Sequence, residues 1–143
     1  ICLVINMRKK NIFDLLALKE KIASNKYLLK MHPLKEEKNK IEQILIQLNK
    51  LKNEENSNQS SSAWELKSAS NIQEKIFEQI SLADLRLKNI NHEILVLEQK
   101  FIEHEIRKNR SKEKSKQIKR SISIENENKL EAEIQSINKV KVN

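Results

Sequence analysis

The stretch SAWELKSASNIQEKIFEQISLADLRLKNINHEILVLEQKF, Ser62 to Phe101, decides the fold. Counted in sevens, Leu66, Gln73, Ile80, Leu87, Ile94 and Phe101 share one position. Three residues on from each stand Ala69, Ile76, Ala83, Ile90, Leu97 and His104. Alternating steps of three and four keep side chains on one side of a helix with about 3.6 residues per turn. A face so nearly apolar over that length is a coiled-coil seam. Its beginning is also marked. Ser62-Ala63-Trp64-Glu65 is a capping box, in which the Ser62 hydroxyl accepts from the Glu65 amide and the Glu65 carboxylate reaches back. A helix is therefore predicted from about 63 to 137.

Before it lies Asn53 to Ser62 (NEENSNQSSS), which contains no hydrophobic residue. Its Ser and Asn side chains compete for backbone hydrogen bonds, so 53–62 reads as a loop. A first helix is predicted over about 10–52, with Asn11 as a weak cap. Leu15, Leu18, Ile22 and Leu29 keep one register, whereas Leu34, Ile41, Ile44, Leu48 and Leu51 keep another. Pro33 lies between them, and a kink or stutter is expected near His32-Pro33. Ile1 to Asn6 reads as an upstream extension without structural meaning, because Met7-Arg8-Lys9-Lys10 looks like a natural start. Two long helices joined by a short loop pack antiparallel. The expected fold is all-α: a long antiparallel two-helix coiled-coil hairpin over 7–139 with a C-terminal helical overhang. Counting outward from the loop pairs the first helix with the second as far as about Lys108, which leaves 109–139 unpaired.

Composition agrees with a seam rather than a globule. The 143 residues include no glycine, one proline and one cysteine, with 34% charged and 3% aromatic residues. A compact α/β domain draws on glycine for turns and aromatics for its core. The net charge of +8 favours acidic partners of any chemistry. A single cysteine, Cys2, forms no internal disulfide and suits a reducing compartment. No apolar run reaches transmembrane length.

Catalysis is not expected. Without glycine there is no phosphate-binding loop of the usual kind. His32, His92 and His104 lack a second histidine or cysteine at metal-ligand spacing, so neither metal nor cofactor is expected. No nucleophile–base arrangement is suggested, and a two-helix rod offers no concave pocket. Trp64, Phe77 and Ile72 near the hairpin tip read equally as a binding face or as flank packing. In the overhang, Arg107, Lys108, Arg110, Lys112, Lys114, Lys116, Lys119 and Arg120 meet one acid, Glu113, and an acidic stretch from Glu125 to Glu133 follows. The basic run has some look of a basic-region helix. No strong zipper follows it, however, and stacking aromatics are absent there. Docking on an acidic protein surface, a solvated charged helix and nucleic-acid binding all remain open.

The order of these elements resembles a known family. It begins Met7-Arg8-Lys9-Lys10-Asn11-Ile12-Phe13-Asp14-Leu15-Leu16. A polar loop precedes Trp64, a long heptad helix ends in a charged run, and Glu127-Asn128-Lys129-Leu130-Glu131-Ala132-Glu133 closes it. This is similar to the flagellar export protein FliJ family and its type III secretion relatives of the YscO stalk type, over most of Met7 to Ile137. Where the family's closing element usually carries an aspartate-glutamate pair, this chain has Ala132-Glu133. The resemblance implies a small antiparallel coiled coil, similar to the stalk of rotary ATPases. Such a protein sits in a hexameric export ATPase, contacts the export gate and handles export chaperones. It implies ATPase-binding roles for Arg8, Lys9, Lys10, Arg107, Lys108, Arg110, Lys112, Lys116, Glu131 and Glu133. Ile72, Ile76, Gln79 and Ala83 would correspond to the gate-binding side. It also implies a cytoplasmic protein, or one peripheral at the inner membrane through the gate. The alternatives are a basic coiled coil that binds nucleic acid and a purely structural spacer.

Overall fold

The computed structural model describes residues 2–57 and 62–142, with side chains over 12–54 and 62–141. The chain forms two helices, α1 (Cys2–Ser57) and α2 (Ala63–Val142), which pack against each other. Among the described residues there is no strand and no residue with positive φ, as suits a chain without glycine. The cap at α2 is formed: the Glu65 amide donates to Ser62 Oγ at 3.1 Å, and the Leu66 amide donates to the Ser62 carbonyl at 3.0 Å.

Both helices outrun the expected bounds. Cys2 to Asn6 are helical, so Asn11 lies inside α1 rather than capping it. Residues 53–57 continue α1, and 58–61 of the expected loop lie outside the described residues. Ile1 of the expected extension lies outside them as well. The physical reason is the absence of a stop. No glycine or proline stands near either end of α1, and the glutamates at 54 and 55 are good helix formers. Pro33 does not break α1. It is exposed, and Leu29, whose carbonyl loses its amide partner, is exposed too, so water can satisfy that carbonyl.

The chain divides into two compact units. One comprises Ile1–Lys26 and Phe101–Asn143, the other Tyr27–Lys100. In the Tyr27–Lys100 unit, Tyr27, Met31, Leu34, Lys38, Ile41, Leu45, Leu48 and Lys52 of α1 are protected at spacings alternately four and three, with Glu37 protected beside them. On α2, Ala69, Gln73, Ile76, Ile80, Ala83, Leu87, Ile90, Ile94 and Leu97 are protected, the register expected from the sequence, with Ser68 and Glu98 protected beside it. Leu66, expected to open that register, is exposed. Ile90 is fully buried, and Met31, Ile76 and Ile94 are nearly so. Three contacts tie the helices. A Lys100 ammonium lies 5.8 Å from the Tyr27 ring, Arg86 bonds Glu37, and a Lys52 ammonium lies 4.6 Å from the Phe77 ring. Partners on α2 thus descend as positions on α1 rise.

The other unit is built differently. Its protected positions are Phe13, Ala17, Glu20, Ala23 and Ser24 on α1, and Phe101, His104, Glu105, Lys108, Ser111, Ser115, Ile118 and Ile122 on α2. Most of these are small or polar. His104 Nδ1 bonds the Glu20 carboxylate, and the Ser115 hydroxyl donates to Asp14 Oδ1 at 2.6 Å. The buried Ser24 hydroxyl donates to the Lys21 carbonyl at 2.9 Å. Here too, partners descend along α2 as α1 rises.

Two expectations are corrected. Leu15, Leu18, Ile22 and Leu29 do not form a seam. They are exposed, Leu29 by 75%, on the side of α1 away from α2. Ile44 and Leu51 are also exposed, whereas Leu34, Ile41 and Leu48 are protected. The polar pairs explain the choice: Glu20 with His104 and Asp14 with Ser115 are satisfied only when Ala17 and Ser24 face inward. Packing also continues past Lys108, where the Lys114 ammonium meets the Phe13 ring and Ser115 bonds Asp14. Every described residue is exposed only from Ser123 to Lys141.

Candidate protein-binding surfaces

The basic run of α2 lies in the unit that contains both chain ends. Arg107, Arg110, Lys112 and Lys116 are exposed there. Lys108 is not free: its ammonium bonds Glu105 Oε2 at 2.6 Å and is largely protected. That ammonium holds the Glu105 carboxyl below its ordinary pKa. At about 100° per residue the exposed cations fall on two faces, Arg107 and Arg110 with Lys114 on one and Lys112 and Lys116 with Lys119 on the other, and Glu113 lies between them. A Lys114 ammonium lies 5.5 Å from the Phe13 ring, which turns that charge toward α1.

Glu131 and Glu133 lie in the fully exposed terminal stretch, with Leu130, Ile134 and Ile137 between and beyond them. Arg8, Lys9 and Lys10 belong to α1, and their side chains lie outside the described residues. An open groove of about 440 Å³ runs along α2, lined by Ile106, Asn109, Arg110, Glu113, Lys114 and Gln117.

The gate-side candidates divide. Ile76 is buried and Ala83 protected in the seam of the Tyr27–Lys100 unit, whereas Ile72 and Gln79 are exposed. Phe77 is about half exposed, and its ring receives the Lys52 ammonium, so it flanks the helix–helix contact. Trp64 is 79% exposed beside the α2 cap. In the same unit, the Arg86 guanidinium meets Glu37. Its hydrogen bonds hold that carboxyl below its ordinary pKa, while Glu37 raises that of Arg86.

Sequence reading placed Leu15, Leu18 and Ile22 in a seam, whereas with Ile12 they form an outer apolar stripe on α1. The signal was present as a second register competing with Phe13, Ala17, Glu20 and Ser24.

Among the described residues, no group of three or more His, Cys, Asp or Glu side chains is placed to hold a metal. His32 Nε2 lies 3.2 Å from Glu36 Oε1 on the surface of α1. No described helix is long and apolar enough to cross a membrane. Compared with known proteins, the chain matches no family model, no curated protein and no solved structure.

Proposed function

We propose that this chain is an antiparallel coiled-coil hairpin with a C-terminal helical overhang, without catalytic chemistry, that works by binding other proteins. In its specific form the proposal is a stalk or chaperone component of a flagellar or type III export apparatus. Its partners would be the hexameric export ATPase, the export gate and export chaperones, at a cytoplasmic site or peripherally at the inner membrane. The descending order of partners within each unit supports the antiparallel hairpin. One observation carries the binding role. The end of α2, from Ser123 to Lys141, offers only exposed side chains, including several large apolar ones. An isolated helix of that kind is marginal in water and gains order from a partner. The export-specific form rests on the resemblance described above.

The lack of stacking aromatics in the basic run, and of a strong zipper after it, favours a protein partner over nucleic acid. The test is ATP hydrolysis and ring assembly by the export ATPase of the same cell, with and without the full chain. Stimulation that falls when Arg110, Lys112 and Lys116 are changed to glutamine supports the reading. No binding and no effect overturns its export-specific form. Salt-dependent retention on DNA, lost in the same variant, would replace it with the nucleic-acid reading.

A further inference from the structure

The net charge of this chain is not shared between its two units. Ile1–Lys26 and Phe101–Asn143 together hold 17 Lys and Arg against 9 Asp and Glu, whereas Tyr27–Lys100 holds 11 of each. The whole of the +8 therefore stands on the unit that contains both chain ends. A charge imbalance of that kind marks the part of a molecule that meets an anionic partner. The same unit also carries, on α1, large apolar side chains that its own packing leaves uncovered. Ile12, Leu18 and Ile22 are exposed by 51 to 62% and Leu15 by 63%.

Charge and apolar surface meet on one face. At about 100° per residue, Ile12, Leu15, Leu18, Lys19, Ile22 and Lys26 fall within about one third of the turn. Both lysines are exposed. Phe13, Ala17 and Ser24 take the opposite side, against α2. Neither acid of this stretch shares the face. Glu20 is turned to α2, where it bonds His104. Asp14 stands outside it, next to Leu18 around the helix, and accepts from the Ser115 hydroxyl. Arg8, Lys9 and Lys10 precede it in the sequence. The result is a face of leucine, isoleucine and lysine from Ile12 to Lys26, roughly 20 Å along the axis of α1.

We infer that this face rests on an anionic bilayer surface. The placing of its lysines chooses that occupant. Lys19 and Lys26 stand among the apolar residues, between Leu15 and Ile12 around the helix, rather than at a rim. The core of a protein–protein contact is depleted in lysine and enriched in aromatic residues. Phe13, the only aromatic between residues 12 and 26, is turned to α2. At a bilayer, by contrast, a lysine stem lies along the acyl boundary while its ammonium reaches the headgroups. Nucleic acid fits less well, because its attraction is to phosphate and exposed leucines gain nothing from that. Binding of a helix to a bilayer grows with the apolar area it inserts and with its attraction to anionic lipid, and this unit supplies both. The end of α2 does not qualify, since Glu125, Glu127, Glu131 and Glu133 accompany its apolar residues. Contact with lipid needs no second protein. The inference is therefore separate from attachment through an export gate and does not rest on the export reading.

The experiment is flotation of the full chain with two kinds of vesicle, phosphatidylcholine alone and equal parts phosphatidylcholine and phosphatidylglycerol. The chain is expected to float with the anionic vesicles and not with the neutral ones, and added salt is expected to release it. Lys19→Gln with Lys26→Gln is expected to weaken binding at least about tenfold at low salt. Leu18→Gln with Ile22→Gln, exposed positions whose change leaves the seam with α2 intact, is expected to weaken it as much, with helicity by circular dichroism unchanged. Lys112→Gln with Lys116→Gln removes the same charge from α2 and is expected to cost less than about threefold. In Leu18→Trp made together with Trp64→Phe, the indole emission is expected to shift to the blue on anionic vesicles. A chain that ignores both vesicles overturns the inference and leaves the face to a protein partner. An equal loss from the α1 and α2 lysine pairs overturns it too, as does an indole emission that stays where it was. Because no export component enters this measurement, its failure is separate from failure of the export reading.

Discussion

Arg86 of α2 grips Glu37 of α1 at two points, Nε to Oε1 at 2.8 Å and Nη2 to Oε2 at 3.0 Å. The same guanidinium reaches toward Glu93 at 3.9 Å. A two-point bond fixes direction as well as distance, so the pair sets register. Both partners are substantially exposed, and exposed pairs add little to stability. Arg86→Glu alone, or Glu37→Arg alone, is expected to lower the melting temperature by no more than a few degrees. The exchanged pair should recover most of that loss in thermal circular dichroism. An exchanged pair no better than either single change would show that the contact does not guide pairing.

Acid should loosen the helices. Glu37 is held below its ordinary pKa first by hydrogen bonds from Arg86, and Glu105 first by that from Lys108. A carboxyl whose folded-state pKa is depressed contributes stability that is fully present above the ordinary glutamate pKa. That contribution is lost as pH falls through the lower, folded-state value. Melting temperature is therefore expected to hold above the ordinary glutamate range and to fall as pH drops through and below it. In Glu105→Gln the fall should be shallower, because one of the two linked groups is gone. An identical slope in wild type and variant would remove Glu105 from the account.

The register on α1 and α2 can be tested by paired truncations. Ile90 is fully buried, so Ile90→Ala is expected to cost about 2–5 kcal/mol through lost transfer energy and the cavity left behind. Leu29 is 75% exposed, so Leu29→Ala is expected to stay within about 0.5 kcal/mol. Urea unfolding followed at the helical band measures both. Equal losses at the two positions would contradict the observed faces.

Pro33 offers a gain. It stands inside α1 with its side chain exposed, where it removes one donor to the Leu29 carbonyl. Pro33→Ala restores that bond without disturbing a buried contact. Stability is expected to rise, by up to about 3 kcal/mol, the difference between the two residues in a helix interior. No change or a loss would mean that the proline's local geometry is needed by the helix pairing.

The two helices were not equally legible in the sequence. On α2, the capping box at Ser62 and Glu65 and the run from Ala69 to Leu97 point the same way, and the structure keeps that register. On α1, hydrophobicity alone misleads. Leu15, Leu18 and Ile22 outweigh Ala17, Glu20 and Ser24 on any apolar scale, yet the latter face α2. Their preference depends on His104 and Ser115, many residues away in the chain, and a periodicity read along one helix does not contain that information. Pro33 strengthened the misreading by suggesting two registers where α1 keeps one spacing. Among the surface candidates, the exposure of Arg110, Lys112, Lys116, Glu131 and Glu133 followed from their charge, whereas the burial of Ile76 followed from the seam.

The polar lining between Ala17 and Ser115 has a kinetic consequence. Contacts made of hydroxyls and carboxylates exchange readily with water, so opening there gives up little buried apolar surface. Backbone amides of 17–24 and 104–115 should exchange hydrogen for deuterium well before those of 76–94, where Ile76, Ile90 and Ile94 are shielded. Breathing is then concentrated in the stretch that also carries the outer leucines of α1. A partner would meet a surface already able to adjust, without waiting for the whole molecule to unfold.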